Sequence, residues 1–232
     1  MINMENFRLS VIIPLHNEED IVEKNTKKLI DFFNRKRGVY EIILGDNGST
    51  DSTPEKCHVL AKRFKQVKFI RLEEKGIGLA LKEMIRRARF GNIVFLPIDF
   101  SVDMKFVDEA LKLLDKYDIV IGSKRTEGAI DDRPLDRRIS TFVFNFLVNL
   151  FFDLGINDTQ CVKAFRKSKI KKINERIKSK DMFFDVELLL KAKKSGLKMI
   201  EIPVSCKDHR KSNFIIPLEF FRTILRIINL YR

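Results

Sequence analysis

The feature that most constrains this chain is the stretch IILGDNGSTD at residues 42–51. Its three leading apolar residues predict a buried strand, and the GDNG sequence that follows predicts a turn. The acidic and amide side chains therefore lie at a strand's carboxyl end, which faces the ligand crevice in an open α/β sheet. Asp46 and Asn47 can accept hydrogen bonds there from a bound group such as a nucleoside. Asx-rich turns are mostly structural, so both a turn and a ligand site stay open.

Other short apolar runs repeat this layout, each ending in polar residues, and all but the last are followed by a helical pattern. They are residues 9–14, 67–72, 93–98 and 118–123, and the first helical pattern covers residues 19–35. The third predicted strand ends in EKGIG, whose two glycines permit either a plain turn or close approach of the backbone to a ligand. Strands that alternate with helices predict an α/β fold with a mostly parallel central sheet and helices on both faces.

Composition limits the partners without choosing among them. The chain has 232 residues, 44% of them hydrophobic, which is enough for one domain with a sizeable core. Its 45 Lys and Arg against 32 Asp and Glu give a net charge of +13. An excess of this size favours an anionic partner, whether nucleic acid, a phosphorylated substrate or an acidic membrane surface.

The cysteines and the hydropathy pattern indicate where the chain works. Its three cysteines are far apart and odd in number, so they predict neither a disulfide framework nor a clustered zinc site, and they fit a reducing cytosolic compartment. The first ten residues do not resemble a secretory signal, and no uncharged apolar run reaches 18 residues. We therefore expect no membrane-spanning segment.

Two segments of the last third combine apolar residues with arginines. A predicted helix at residues 139–154 is rich in phenylalanine and follows the basic cluster of Arg133, Arg137 and Arg138. It fits either a core helix or one lying at a membrane interface. Residues 214–232 repeat the pattern, with apolar residues at helical spacing and arginines whose stems can lie along an apolar surface.

Seven segments, taken in order, carry a resemblance to a known family. They are VIIPLHNEE (11–19), GDNGSTDST (45–53), EKGIGLAL (74–81), GSKR (122–125), NDTQCVKAF (157–165), FDVELLLKA (184–192) and EIPV (201–204). Together they resemble the family 2 glycosyltransferases of the GT-A fold, nearest the dolichyl-phosphate mannose or glucose synthases. The resemblance implies a catalytic domain over residues 1–213, followed by a C-terminal amphipathic helix at 214–232 without a transmembrane domain.

The same resemblance implies the reaction. A sugar would move from a GDP-mannose or UDP-glucose type donor to a polyprenyl phosphate, by direct displacement with inversion. The protein would be cytoplasmic and peripherally bound to the inner face of the membrane, with an anionic membrane surface as a partner. A phosphate acceptor is largely an anion near neutral pH, because its second pKa is about 6, so it needs no strong general base.

Carried over residue by residue, the resemblance also implies the site. The donor would contact Pro14, Leu15, Asn17, Glu18, Leu44, Asp46, Asn47, Lys75, Gly76, Ile98 and Asp99. The acceptor phosphate would contact Arg125, Arg138, Lys207, Arg210 and Ser212, and catalysis would rest on Asp158, Asp99 and Arg125. The glycine usual in the family is absent from KDHRKSN, so the register of Lys207 and Arg210 is open.

The metal motif departs from the family. Where relatives have Asp-x-Asp, this chain has Pro97, Ile98 and Asp99, so the first carboxylate is missing. A Mg²⁺ or Mn²⁺ ion would then rely on Asp99 and Ser101, with the donor's phosphates and water as the other ligands. Two alternatives are that Lys and Arg replace part of the metal's charge, or that turnover has been lost.

Other functions also stay open. A non-catalytic nucleotide-sugar-binding protein would bind donor and form no product, and a related enzyme would use a sugar hydroxyl as acceptor. A nucleic-acid binder is disfavoured, because the basic residues are spread along the chain and form no recognition motif. The sequence does not predict an oligomeric state.

Overall fold

The computed structural model describes residues 7–208 of the chain. Its strands there are β1 (Phe7–Leu15), β2 (Gly38–Asn47), β3 (Val67–Leu72), β4 (Asn92–Phe95), β5 (Ile119–Ser123), β6 (Ile130–Asp131), β7 (Lys163–Arg166), β8 (Met199–Pro203) and β9 (Ser205–Cys206). Its helices are α1 (Val22–Asn34), α2 (Thr53–Arg63), α3 (Ile77–Arg87), α4 (Lys105–Leu113), α5 (Leu135–Phe152), α6 (Lys167–Arg176) and α7 (Phe184–Lys194).

The main sheet has the order β3-β2-β1-β4-β7-β5-β8, and a small sheet pairs β6 with β9. Every pairing of the main sheet is parallel except those that β7 makes with β4 and β5. Alternate residues of β1 enter two separate cores. Val11 packs in the one that contains Val22 of α1 and Phe106 of α4, whereas Ile12 packs in the one that contains Met84 of α3 and Leu188 of α7. The predicted α/β sheet with helices on both faces is thus confirmed.

The second strand is longer than its sequence predicts. The predicted turn at Gly45 is wrong, because β2 continues through Asn47 and the chain turns at Gly48, whose φ is +69°. Gly45 is a strand residue that lets helix α3 pack closely, since a Cβ there would lie 2.5 Å from the Met84 sulfur. Asp46 and Asn47 are therefore the last residues of a strand, held in the ladder beside β3.

Other boundaries also shift. Strand β4 ends at Phe95, before the predicted end at residue 98, because Pro97 has no N–H to donate to a ladder. Helix α1 begins at Val22 and ends at Asn34, three residues after and one before its predicted ends. Helix α5 begins directly after Pro134, four residues earlier than predicted, and ends where Asp153 takes a left-handed conformation with φ 45°.

Helix α5 buries only part of its apolar surface. Phe144 and Val148 are buried, whereas a row on the helix is about half exposed or more: Leu135, Ile139, Phe142, Phe146, Leu150 and Phe151. The core interpretation therefore describes one part of this helix, and the membrane-interface interpretation of the exposed row stays a prediction. Within residues 7–208, none of the helices has the length and apolar character needed to cross a membrane. The predicted helix at 214–232, the domain boundary at 213, Arg210 and Ser212 lie outside the described residues.

Candidate functional site

Polar side chains gather at one edge of the main sheet. The carboxyl ends of β1, β2, β4 and β5 meet there, and β7 starts there because it runs antiparallel to its neighbours. Several buried side-chain atoms at or beside this edge have no hydrogen-bond partner within residues 7–208: His16 Nδ1, Asp46 Oδ2, Arg125 Nε, Thr126 Oγ1 and Asp158 Oδ1. Buried polar groups are normally paired, so this concentration marks the edge as the candidate site.

Asp46 is the carboxylate at the end of β2. Its side chain is fully buried, and Oδ1 accepts a hydrogen bond from the Ser49 N–H at 3.3 Å. Oδ2 accepts none, and the exposed Arg71 guanidinium is 3.9 Å away. A buried carboxylate oxygen left unpaired costs free energy that a donor group from a ligand would recover.

Asn17 and Glu18 follow β1 and fasten it to the turn after β2. Asn17 has a left-handed backbone with φ 54°, and its Oδ1 accepts a hydrogen bond from the Thr50 N–H at 2.9 Å. The Glu18 N–H donates to Thr53 Oγ1 at 2.8 Å. These contacts hold the two strand ends together, so Asn17 shapes the edge through its amide group.

The other residues predicted to contact the nucleotide-sugar donor differ in the exposure of their side chains. Leu44 and Ile98 are buried and pack in the hydrophobic core beside the edge. Pro14 is partly exposed, and Leu15 is buried at the end of β1. Lys75 is exposed. The predicted donor residues thus lie along one edge of the sheet, but the side chains of Leu15, Leu44 and Ile98 are buried and apolar and carry no group that could hydrogen-bond a ligand.

The glycines of EKGIG approach protein backbone. A Cβ on Gly76 would lie 2.6 Å from the Lys180 carbonyl oxygen, and one on Gly78 would lie 2.8 Å from that of Asp181. The Gly78 N–H donates to the Lys180 carbonyl at 2.9 Å, and the Gly76 N–H donates to Asn47 Oδ1. Both glycines therefore allow the start of α3 to pack against the loop at residues 178–181.

Asp99 lies in the loop after β4 and is the candidate metal ligand. Its Oδ1 accepts a hydrogen bond from the Ser101 N–H at 2.9 Å, and the Ser101 carbonyl accepts one from the Lys207 N–H at 2.8 Å. Among residues 7–208 there is no group of three or more His, Cys, Asp or Glu side chains that could hold a metal ion. One carboxylate on a fixed loop fits a Mg²⁺-type ion that takes its other ligands from substrate phosphates and water.

A buried ion pair joins the end of β5 to the turn before β7. Lys124 Nζ lies 2.7 Å from Asp158 Oδ2, and the Lys124 backbone N–H donates to the same oxygen at 3.1 Å. Burial by itself lowers the pKa of Lys124, but the adjacent Asp158 carboxylate raises it above its ordinary value, so the lysine stays charged. The sequence singled out Asp158 and missed Lys124, although both stand in recognised motifs.

Arg125 follows Lys124 and turns toward α5. Its guanidinium lies over the Phe142 ring, 4.5 Å from the centroid. Phe142 belongs to the exposed apolar row of α5, so this contact connects the polar edge to that row.

A small basic pocket of about 150 Å³ opens between α5 and the turn before β7. It is lined by Arg133, Arg137, Ser140, Thr141, Phe144, Gln160 and Met182. Arg133 makes two hydrogen bonds of 2.7 Å to Asp131, and Arg137 pairs with Asp208. Arg138 is exposed and does not line the pocket, whereas its helical neighbour Arg137 does. The contact of Arg138 with an acceptor phosphate stays a prediction.

The chain matches a known family and is similar in sequence to several known proteins. The family model described as Glycosyl transferase family 2 matches residues 10–174. The chain is 27% identical to glycosyltransferase AglD of Haloferax volcanii over 84% of its own length, and it spans about a third of that protein, 32%. It is 31% identical to the dolichyl-phosphate beta-glucosyltransferase of Drosophila melanogaster, covering 86% of this chain and 67% of the relative.

Solved structures share the fold. The glucosyl-3-phosphoglycerate synthase of Mycobacterium tuberculosis, solved with Mn²⁺, UDP and glucosyl-3-phosphoglycerate, superposes with a TM-score of 0.67 at 18% identity. The match covers 94% of this chain and 76% of that one. At this identity the match shows a shared fold, the same mostly parallel α/β architecture.

Proposed function

Because the chain belongs to glycosyl transferase family 2, we propose that it transfers a sugar from a nucleoside-diphosphate sugar to a polyprenyl phosphate at a membrane surface. The family predicted from the sequence is confirmed by the match over residues 10–174 and by the relatives. The single observation that carries the choice of acceptor is the set of cations around the start of β7: Lys124, Arg125, Arg133 and Arg137.

These cations suit a phosphate better than a sugar hydroxyl. A hydroxyl acceptor needs a general base whose pKa lies near the working pH. The two buried carboxylates beside this part of the edge are each held by an ammonium group, Asp158 by Lys124 at 2.7 Å and Asp185 by Lys163 at 2.9 Å. Both carboxylates are thus engaged in ion pairs, whereas a phosphate monoester already carries its charge and only needs to be positioned.

The pocket of about 150 Å³ has the chemistry of an acceptor-phosphate site. Two guanidinium groups and the hydroxyls of Ser140 and Thr141 line it. Because Arg133 is hydrogen-bonded to Asp131 and Arg137 pairs with Asp208, a phosphate would have to share each guanidinium with its carboxylate or displace that carboxylate. The pocket is lined by Ser140 and Thr141 of α5, and their sequence neighbours Ile139 and Phe142 belong to the exposed apolar row of that helix. A lipid phosphate could therefore place its head in the pocket and its chain along the helix.

The donor would bind at the ends of β1 and β2. Asp46, with its unpaired Oδ2, would accept a hydrogen bond from the nucleoside, and the loop of Asp99 would face the diphosphate. A divalent cation held by Asp99 would neutralise the diphosphate. A phosphate oxygen of the acceptor would attack the anomeric carbon, the bond from that carbon to the diphosphate oxygen would break, and the configuration would invert. The nucleoside diphosphate would leave, with Arg125 near the charge that develops.

The relatives support the acceptor class. Dolichyl-phosphate beta-glucosyltransferases of Saccharomyces cerevisiae and Drosophila melanogaster are 29% and 31% identical to this chain, which covers 71% and 67% of their lengths. The cytoplasmic, inner-face location is part of the proposal. It agrees with three buried cysteines that are all free thiols.

The transfer reaction tests the proposal directly. Labelled UDP- and GDP-sugars would be incubated with a polyprenyl phosphate, with and without Mg²⁺ or Mn²⁺, and lipid-linked sugar would be extracted. We expect product with one donor class and a divalent cation. Donor binding without product would support the non-catalytic alternative, and product only with a hydroxyl acceptor such as a phosphorylated small acid would replace the lipid phosphate in the proposal.

Membrane binding gives a separate prediction. We expect the protein to bind vesicles that contain anionic lipid, and binding to weaken as salt shortens the Debye length to about 8 Å at physiological ionic strength. Replacing Phe146 and Leu150, 55% and 64% exposed on α5, by glutamine should lower the partition coefficient by about tenfold or more, because each removes apolar surface that the bilayer would bury.

Co-sedimentation with vesicles measures that partition coefficient. The matched control is Val59→Gln, which changes an apolar residue that is 61% exposed on α2. Equal binding of the control and the α5 variant, or equal binding to neutral and anionic vesicles, would contradict the proposed docking face.

A further inference from the structure

Two acidic residues of α7 remain outside the reaction described above. Asp185 and Glu187 stand in the first turn of α7, two residues apart, and both side chains are buried. Buried carboxylates are costly unless they are paired, so their partners show what each one holds.

Asp185 makes its contacts beside the basic pocket, which is the proposed acceptor site. Its Oδ1 lies 2.9 Å from Lys163 Nζ, and that ammonium also donates to the Cys161 carbonyl at 2.7 Å. Cys161 follows Gln160, one wall of the basic pocket, and Asp185 comes three residues after Met182, another wall. The ion pair therefore connects the two chain segments, at Gln160 and Met182, that line the pocket opposite α5.

Glu187 makes its contacts with the loop at residues 178–181, which packs near the proposed donor site. It accepts hydrogen bonds from the backbone N–H groups of Lys178 and Ser179, at 3.1 and 2.9 Å, and from the Ser179 hydroxyl at 2.7 Å. The next residue of this loop, Lys180, offers its carbonyl to the Gly78 N–H at 2.9 Å. The same turn is joined at Gly76 to Asn47, the end of β2.

We propose that Asp185 and Glu187 are positioning residues with separate targets: Asp185 fixes the acceptor pocket through Lys163, and Glu187 fixes the donor edge through the loop at residues 178–181. The inference rests on the proposed function, because that assigns the two sides. Neither carboxylate touches the reacting atoms. The helix keeps the two binding regions at a fixed separation, since both carboxylates project from one rigid turn.

The variants are designed to change one target each. Glu187→Gln keeps the shape of the side chain and weakens its hold on the loop, and Ser179→Ala removes one donor from the same contact. Asp185→Asn would leave the Lys163 charge buried and unpaired, so the double variant Lys163→Met with Asp185→Leu removes both charges at similar volume. The matched control is Glu41→Gln, because Glu41 is also a buried carboxylate that accepts a hydrogen bond, from Ser10 at 2.6 Å, but lies near the opposite end of β2.

Two binding measurements and the steady-state constants distinguish an effect on the donor site from an effect on the acceptor site. Calorimetry with UDP or GDP reports the donor side, and calorimetry with a short soluble prenyl phosphate reports the acceptor side. We expect Glu187→Gln to raise the donor KM and the nucleoside-diphosphate Kd at least about fivefold, with the acceptor constants within about twofold of wild type. Ser179→Ala should shift the same constants less. The Lys163 and Asp185 double variant should show the reverse pattern.

The control separates positioning from general loss of stability. Glu41→Gln should lower the melting temperature and leave both KM values unchanged. Variants that shift donor and acceptor constants in equal proportion, or shift neither, would overturn the positioning role while leaving the proposed transfer intact. A wild-type protein that binds neither probe would overturn both proposals.

Discussion

Replacement of Asp46 by alanine is expected to weaken binding of the nucleoside-diphosphate donor by about 10- to 150-fold. A hydrogen bond to a charged group contributes about 1.5–3 kcal/mol, which corresponds to that range of Kd. Asp46 is fully buried at the end of β2, and within the described residues its Oδ2 has no hydrogen-bond partner and only the Arg71 guanidinium at 3.9 Å, so under the proposed function the donor would supply the missing hydrogen bond. Calorimetric titration with UDP- and GDP-sugars measures the change.

A second variant distinguishes the role of Asp46 in ligand binding from its role in the turn at Ser49. Asp46 Oδ1 accepts a hydrogen bond from the Ser49 N–H, and an asparagine amide oxygen can keep this bond. Asp46→Asn should therefore unfold at nearly the wild-type temperature and still bind donor weakly. If a folded Asp46→Ala protein binds both donors with wild-type affinity, Asp46 does not belong to the site and the assignment of the whole sheet edge is weakened.

Replacement of Asp99 by asparagine is expected to reduce turnover by about 10²- to 10³-fold, the usual cost of losing a single group that stabilises developing charge. Asparagine can still accept the hydrogen bond that Asp99 Oδ1 receives from the Ser101 N–H, so the loop should keep its shape while the charge is lost. Steady-state transfer rates across a range of Mg²⁺ and Mn²⁺ concentrations measure the effect.

The same loop provides controls. Asp103→Asn changes an exposed carboxylate whose Oδ1 accepts a hydrogen bond from the Lys105 N–H at 2.9 Å, and it should retain nearly full turnover. Pro97→Asp restores the missing acid and should tighten metal dependence or leave it unchanged. Full activity of Asp99→Asn in excess chelator would show that Lys and Arg side chains have taken over the charge of the metal.

Local patterns were sufficient for much of the fold. A buried strand followed by polar turn residues is encoded within about ten residues, so β1, β2, β3 and β5 could be predicted together with the polar residues at their ends. The position of Asp46 and Asp99 at one sheet edge then follows, because parallel strands present their carboxyl ends on the same side. The antiparallel direction of β7 could not be predicted, because it depends on pairing with β4 and β5.

Contacts between distant residues decided the rest. Which of Arg137 and Arg138 lines the pocket depends on how α5 is rotated against the core, because a one-residue difference on a helix turns a side chain by about 100°. The pairing of Lys124 with Asp158 and of Lys163 with Asp185 joins residues 34 and 22 positions apart. The sequence by itself thus determined which polar residues end the strands, because that signal is local. Only the tertiary structure decided which charges neutralise each other and which remain for a ligand, because burial and distance are properties of the packed chain.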